Sequence, residues 1–155
     1  MNHLSDGDII KIKTTWRIPM EDPSESGQAI LLKFFERYPS NLEKFKNFKG
    51  LSIEELKVNT HFHAHASKII RIFDEAINTL GTDYTDSALQ EIWSKIAISH
   101  HKRDISKASY NELKEIILET LVAVCDMNND QKGAWEKLFI CVYNIIFQTI
   151  DNLTK

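Results

Sequence analysis

Two histidines carry the chemistry that this sequence offers. His100 closes the segment Leu89-Gln-Glu-Ile-Trp-Ser-Lys-Ile-Ala-Ile-Ser-His100, and His65 lies within Phe62-His-Ala-His65-Ala-Ser-Lys-Ile69. At about 100° per residue, Leu89, Trp93, Ile96, Ala97 and His100 share one stripe of a helix, while Glu91, Ser94 and Lys95 face away. On the preceding helical pattern Val58, Phe62, His65, Ile69, Ile72, Phe73 and Ala76 fall within a similar arc. Each imidazole therefore faces an interior. A neutral imidazole ligates transition metals, and its second nitrogen then needs an acceptor. For His100 the Ile96 carbonyl and the Ser99 side chain, both on the same helix, are near enough to serve.

A single histidine on an apolar stripe is ordinarily a core residue satisfied by one hydrogen bond. Two of them on separate helices can hold a ligand between the helices, in a space walled by Phe45, Phe62 and Ile69. Iron in a planar macrocycle suits that arrangement, because one imidazole holds the metal while the opposite face stays open or lightly guarded. Zinc suits it less well. His61 and His65 are four residues apart, but the glutamate of His-Glu-x-x-His is missing and no third ligand stands nearby. His63 points away from the stripe, and so does His101, about 100° from His100. Cys125 and Cys141 lack Cys-x-x-Cys spacing and read as reduced thiols inside helices.

The elements that must position these residues follow from composition and pattern. A chain of 155 residues, 43% hydrophobic and 26% charged, with five glycines and three prolines, is the size and texture of one helical domain, expected over residues 1–155. The net charge of −3 includes no basic block, which removes nucleic acid and anionic membranes as leading partners. The N-terminus has no basic region followed by an apolar run, so a cytoplasmic location is expected. Leu138 to Phe147 is interrupted by Asn144 and is far shorter than the ~20 residues of a membrane span.

In chain order, Ser5 and Asp8 form a capping box for a first helix carrying Ile9, Ile12 and Trp16, which Pro19 interrupts. After the connector 20–26, a second helix presents Ile30, Leu31, Phe34, Phe35 and Tyr38 up to Pro39. Leu42, Phe45 and Phe48 recur every third residue in a short polar segment. Ser52 and Glu55 form a second capping box, opening one continuous pattern, the longest expected helix, that runs to Leu80 and Gly81. A polar loop over 82–87 follows, with Ser87 and Gln90 expected to cap the helix of His100. Ser106 begins a further helix with Tyr110, Leu113, Ile116, Ile117 and Leu121, and a last one is expected from about Gln131 to Asn152. No stretch reads as a strand.

The order of these signals resembles the globin family over nearly the whole chain. Trp16 matches the family's tryptophan in the first helix, and Gly27 to Tyr38-Pro39 with Phe45 and Phe48 looks like its second helix, corner and haem-packing phenylalanines. Phe62 to Ile69 looks like the distal helix and Ile96 to His100 the proximal one, with a texture most similar to intracellular haemoglobins of flies. The resemblance implies an all-α globin fold of about seven or eight helices around haem b. His100 would then be the proximal iron ligand, oriented by Ser99 and the Ile96 carbonyl, and His65 the distal residue beside Ile69 and Leu31. Phe45 would stack on the porphyrin, with Phe62, Ile105, Tyr110 and Leu113 as further contacts and Lys68 near a propionate. Against vertebrate globins the interval from His65 to His100 is longer, which enlarges the 82–87 loop, and the segment from His101 to Ile105 is shorter. The implied function is reversible dioxygen binding for intracellular storage or transport. Carbon monoxide and nitric oxide would be further ligands, and the protein would be a monomer or homodimer without turnover.

A haem enzyme that consumes nitric oxide or peroxide with an external reductant is the alternative, and a haem-free helical interaction module is a third reading. His65 can serve by hydrogen-bonding the ligand or by ligating iron itself. A storage role favours the open site.

Overall fold

The computed structural model describes residues 3–155, so Met1 and Asn2 of the domain expected over 1–155 lie outside the described residues. Seven α-helices are present among them: α1 (Asp6–Trp16), α2 (Pro23–Arg37), α3 (Ile53–Lys57), α4 (Thr60–Thr79), α5 (Thr85–His101), α6 (Lys107–Cys125) and α7 (Asn129–Leu153). Two short 3-10 turns, Pro19–Glu21 and Pro39–Lys44, flank α2. The described residues contain no strand. The fold is all-α, as its helical periodicity demands.

Local chemistry sets most of the boundaries. The Ser5 hydroxyl accepts the Asp8 N–H and the Asp8 carboxylate accepts the Ser5 N–H, a reciprocal cap that starts α1. Ser52 with Glu55 and Asn128 with Gln131 repeat the arrangement at α3 and α7. Gly81, at φ +85°, takes the left-handed conformation that closes α4.

Several boundaries differ from those expected, and α2 already begins at Pro23, inside the expected 20–26 connector. The pattern from Ser52 to Gly81 is two helices, because the chain breaks at Val58 and Asn59 and the Asn59 side chain caps a new helix by accepting the Phe62 N–H. Val58 is accordingly 78% exposed and belongs to no apolar stripe. The longest helix is α7, with 25 residues against 20 in α4. Finally, α5 begins at Thr85 with no side-chain cap, and Ser87 donates instead to the Tyr84 carbonyl. The Thr85 hydroxyl donates to the Thr79 carbonyl at 2.6 Å and so ties the start of α5 to the end of α4.

Packing places α2 across α4 and lays α5 and α1 on α7. The α2–α4 crossing depends on Gly27. A Cβ there would stand 2.3 Å from the Ala66 carbonyl oxygen, so only glycine lets the two backbones approach this closely. Where α1, α4 and α7 meet, Trp16 packs on Trp135 and Phe73, with ring centroids 5.7 and 6.3 Å apart. Both indoles are satisfied: Trp16 donates to Asp74 and Trp135 to the Thr15 hydroxyl. All three rings are buried. No helix among the described residues is long and apolar enough to cross a membrane.

Candidate functional site

The helix α4 carries two adjacent stripes. Phe62, Ala66, Ile70, Phe73 and Ile77 are buried in the protein core. His65, Ile69 and Ile72, each one residue earlier around the helix, are only half-buried and line a cavity, whose wall Phe73 also reaches from the core stripe. From α5, Trp93, Ile96, Ser99 and His100 line the opposite wall of the same cavity. Leu31 and Phe34 of α2 and Tyr110, Leu113 and Ile117 of α6 enclose it, with Tyr143 and Ile146 of α7 behind them.

The residues singled out in the sequence therefore converge, with one exception. Leu31, Phe45, His65, Lys68, Ile69, Ile96, Ser99, His100, Ile105, Tyr110 and Leu113 all line the cavity. Phe62 does not. It is fully buried between Phe35 and Phe48, at ring distances of 6.4 and 5.8 Å, because three residues of helix turn it about 60° from His65 towards α2. The phenylalanine against the imidazole is Phe45, edge-on to His65 at 5.2 Å, with Phe48 behind at 6.1 Å. His61 is exposed and shares no site with His65, and His63 donates through Nε2 to the Lys57 carbonyl across the α3–α4 break.

The partner of His100 also differs from the expected one. Its Nδ1 lies 2.9 Å from the hydroxyl of Tyr110 on α6, and neither Ser99 nor the Ile96 carbonyl bonds the ring. Tyr110 is itself held, since the Tyr143 hydroxyl donates to its carbonyl and the rings of Tyr143 and Phe147 meet its face at 6.0 Å. His101 is exposed. Past it, the His100 carbonyl accepts the N–H groups of Arg103 and Ile105, and Asp104 adopts φ +60°, a left-handed turn that aspartate tolerates. That compact corner returns Ile105 to the cavity wall despite the short connection.

Cations gather where the cavity opens. Lys44 donates to Ser109, Ser109 to the buried Asn41, and Asn41 to Glu112, while Lys68 and Arg103 stand free-ended around the same lining. Burial pushes the His65 imidazole down to about 4, and the nearby charges of Lys68 and Arg103 add to the shift. His100 is pushed down to about 4 by burial first, then by Arg103, His65 and Lys68. Both imidazoles are therefore neutral at physiological pH, the state in which a ring nitrogen can ligate a metal. Burial also raises the Tyr110 and Tyr143 phenols, which stay protonated.

This donor set fits one kind of occupant. Among the described residues no three histidine, cysteine or acidic side chains cluster to hold a bare ion. A metal taken up by these imidazoles must bring its other ligands with it, as iron in a macrocycle does. The apolar walls suit a flat hydrophobic ring system, and the three cations suit acidic substituents at its edge. Asn41, Lys44 and Arg103 were not anticipated, since short corners have no periodicity to place them, and neither was Ser109 in the first turn of α6. Ile72 and Ile117 were legible as the next helical repeats after Ile69 and Leu113.

Comparison with known proteins agrees with this geometry. A family model described as Globin matches residues 28–146. The fold is similar to a Drosophila melanogaster haemoglobin, described as hexa-coordinate and cyanide-binding, with a TM-score of 0.90, 49% identity and coverage of 93% of this chain and 94% of the other. Haemoglobin of the botfly Gasterophilus intestinalis superposes with a TM-score of 0.87 at 32% identity, covering 96% and 99%. Globin CTT-X of the midge Chironomus thummi thummi is 27% identical over 145 residues, 94% of this chain and 93% of its own.

Proposed function

Because the chain belongs to the globin family, we propose that it holds one haem b between α4 and α5 and binds dioxygen reversibly for storage or transport inside the cell. The observation that carries this reading is the pair of neutral imidazoles facing each other's wall of one apolar cavity with cations at its mouth. Haem iron, when present, supplies the coordination of the diatomic ligand. Everything else is the work of this chain.

His100 would hold the iron from the α5 side. Its Nδ1 is occupied by Tyr110, which leaves Nε2 as the ligating nitrogen. Lys44, Lys68 and Arg103 would take the haem carboxylates, and Phe45, Ile69, Ile96 and Leu113 would exclude water from the ring faces. His65, neutral and pressed against Phe45, would donate a hydrogen bond to dioxygen, and carbon monoxide and nitric oxide would enter the same space. The domain would act as a monomer or homodimer in the cytoplasm, without a reaction cycle of its own.

A second arrangement is favoured by one observation: the Drosophila haemoglobin, 49% identical, is described as hexa-coordinate. In that arrangement His65 would itself ligate the iron when no other ligand is bound, in place of the open site that a storage role favours. The visible spectrum of the reduced protein tests both readings. Failure to develop an intense Soret band on haem addition ends the haem reading. One broad visible band without ligand marks an open site, and two sharp bands that vanish in His65→Leu mark ligation by His65. In the open case His65→Leu removes a hydrogen bond worth ~1–3 kcal/mol, and dioxygen leaves roughly 5- to 150-fold faster by stopped flow.

A further inference from the structure

The ring of His100 is held from outside its own helix. Its hydrogen bond runs to Tyr110 at 2.9 Å, and the rings lie 5.6 Å apart at 39°. Tyr110 sits in the first turn of α6, which Ser106 caps by accepting the Ser109 N–H. Its carbonyl is tied down by Tyr143 and its ring by Tyr143 and Phe147, and it is 5% exposed. The hydroxyl is thus fixed in place before any ligand arrives.

We propose that Tyr110 is the positioning residue for His100: its hydroxyl oxygen accepts the Nδ1 proton, fixing the ring plane and the tautomer that leaves Nε2 free to ligate. The chemistry follows from valence. An imidazole that ligates through Nε2 carries its proton on Nδ1, so the bond to Tyr110 must run from nitrogen to oxygen. An acceptor at Nδ1 makes the ring a stronger donor through Nε2. Control over that strength then lies on α6 and α7, through Tyr110 and Tyr143, and not on the α5 backbone. The inference rests on His100 being the haem ligand, and the test separates the two.

Tyr110→Phe keeps the ring and deletes the acceptor. In the haem-bound protein, the iron–imidazole stretch recorded by resonance Raman just after carbon monoxide photolysis should move to lower frequency. The midpoint potential should shift in favour of the ferrous form, and haem should transfer to an acceptor protein on the order of 10- to 100-fold faster. Ser99→Ala, which removes no bond to the ring, should move the stretch less than Tyr110→Phe does. If Ser99→Ala moves the stretch and Tyr110→Phe does not, the ring is held by its own helix and the proposal is overturned. Should Tyr110→Phe lose helicity by circular dichroism, 3-fluorotyrosine at position 110 decides, because it preserves shape while weakening the acceptor. A smaller shift in the same direction supports the proposal, and no shift overturns it. His100→Gly retaining haem with an unaltered spectrum would instead remove the ligand reading itself.

Discussion

The junction of α1, α4 and α7 and the cavity between α4 and α5 are made of the same kinds of side chain and finished differently. At the junction, Trp16 and Trp135 pack on each other and each indole N–H finds an acceptor, Asp74 and the Thr15 hydroxyl. Beside the cavity, Trp93 is 4% exposed, yet its indole N–H has no hydrogen-bond partner among the described residues. The isoleucines there, Ile69, Ile72 and Ile96, are only half-buried, whereas Ile70 and Ile77 on the core side of α4 are fully covered. The junction is complete as protein. The cavity wall is left half-covered, and the closed junction and the cavity draw on adjacent stripes of α4.

Truncating the closed region should cost most. Trp135→Ala opens a cavity among residues that cannot collapse into it, and urea denaturation should record a loss of about 3–5 kcal/mol. That loss should be the same with and without haem, whereas Phe45→Ala should act on haem retention and leave the haem-free protein nearly as stable. An equal effect of Phe45→Ala on the haem-free form would erase the distinction between the two regions.

Next comes the contrast between indoles. Trp135→Phe and Trp93→Phe remove the same atoms from two buried sites, but only the first breaks a hydrogen bond. The first should be the more costly by about 1 kcal/mol in chemical denaturation. Equal costs would mean that Trp93 is satisfied in solution by a group the cavity admits.

The cavity side of the comparison is also sharpened by the effect of pH on the haem-free protein. His65 and His100 titrate at about 4 when folded and at the ordinary 6.5 when unfolded. Between those values the unfolded chain binds the extra protons, so stability is fully present above pH 6.5 and is lost as pH falls towards 4. The thermal midpoint should fall between pH 7 and pH 5, and His65→Leu should flatten the decline. A midpoint indifferent to pH in this window would show that neither imidazole is buried in the neutral form.

Helical periodicity was enough to set His65 and His100 on facing walls, because an amphipathic stripe fixes direction within a single helix. It was also enough for the caps at Ser5 and Ser52, whose partners lie three residues away. It failed wherever the deciding contact was remote or the pattern ran on through a break. Val58 sits in phase with Phe62 and His65, so the interruption at Asn59 left no mark on the apolar repeat, although Asn59 is itself a good cap. Phe62 was misassigned because a stripe 100° wide includes residues that face α2 as well as those that face the cavity. Tyr110 was placed near the haem, but its bond to His100 joins two helices across a left-handed corner, which no spacing encodes. The cations Lys44 and Arg103 come from the corners after α2 and α5, where charge alone says nothing of direction.

The contact between Gly27 and Ala66 has a mechanical consequence for His65. It clamps α4 to α2 one residue beyond His65, and a clamped rod turns about its fulcrum more readily than it slides. His65 rides on the short arm of that lever, which runs back only to Thr60, while the long arm to Thr79 is latched to α5 through Thr85. The short arm ends at the break at Val58 and Asn59, which the Asn59 cap closes and the bond from His63 to the Lys57 carbonyl spans. The placement of the His65 imidazole is thereby tied to a two-residue break on the surface, about one and a half turns of helix away.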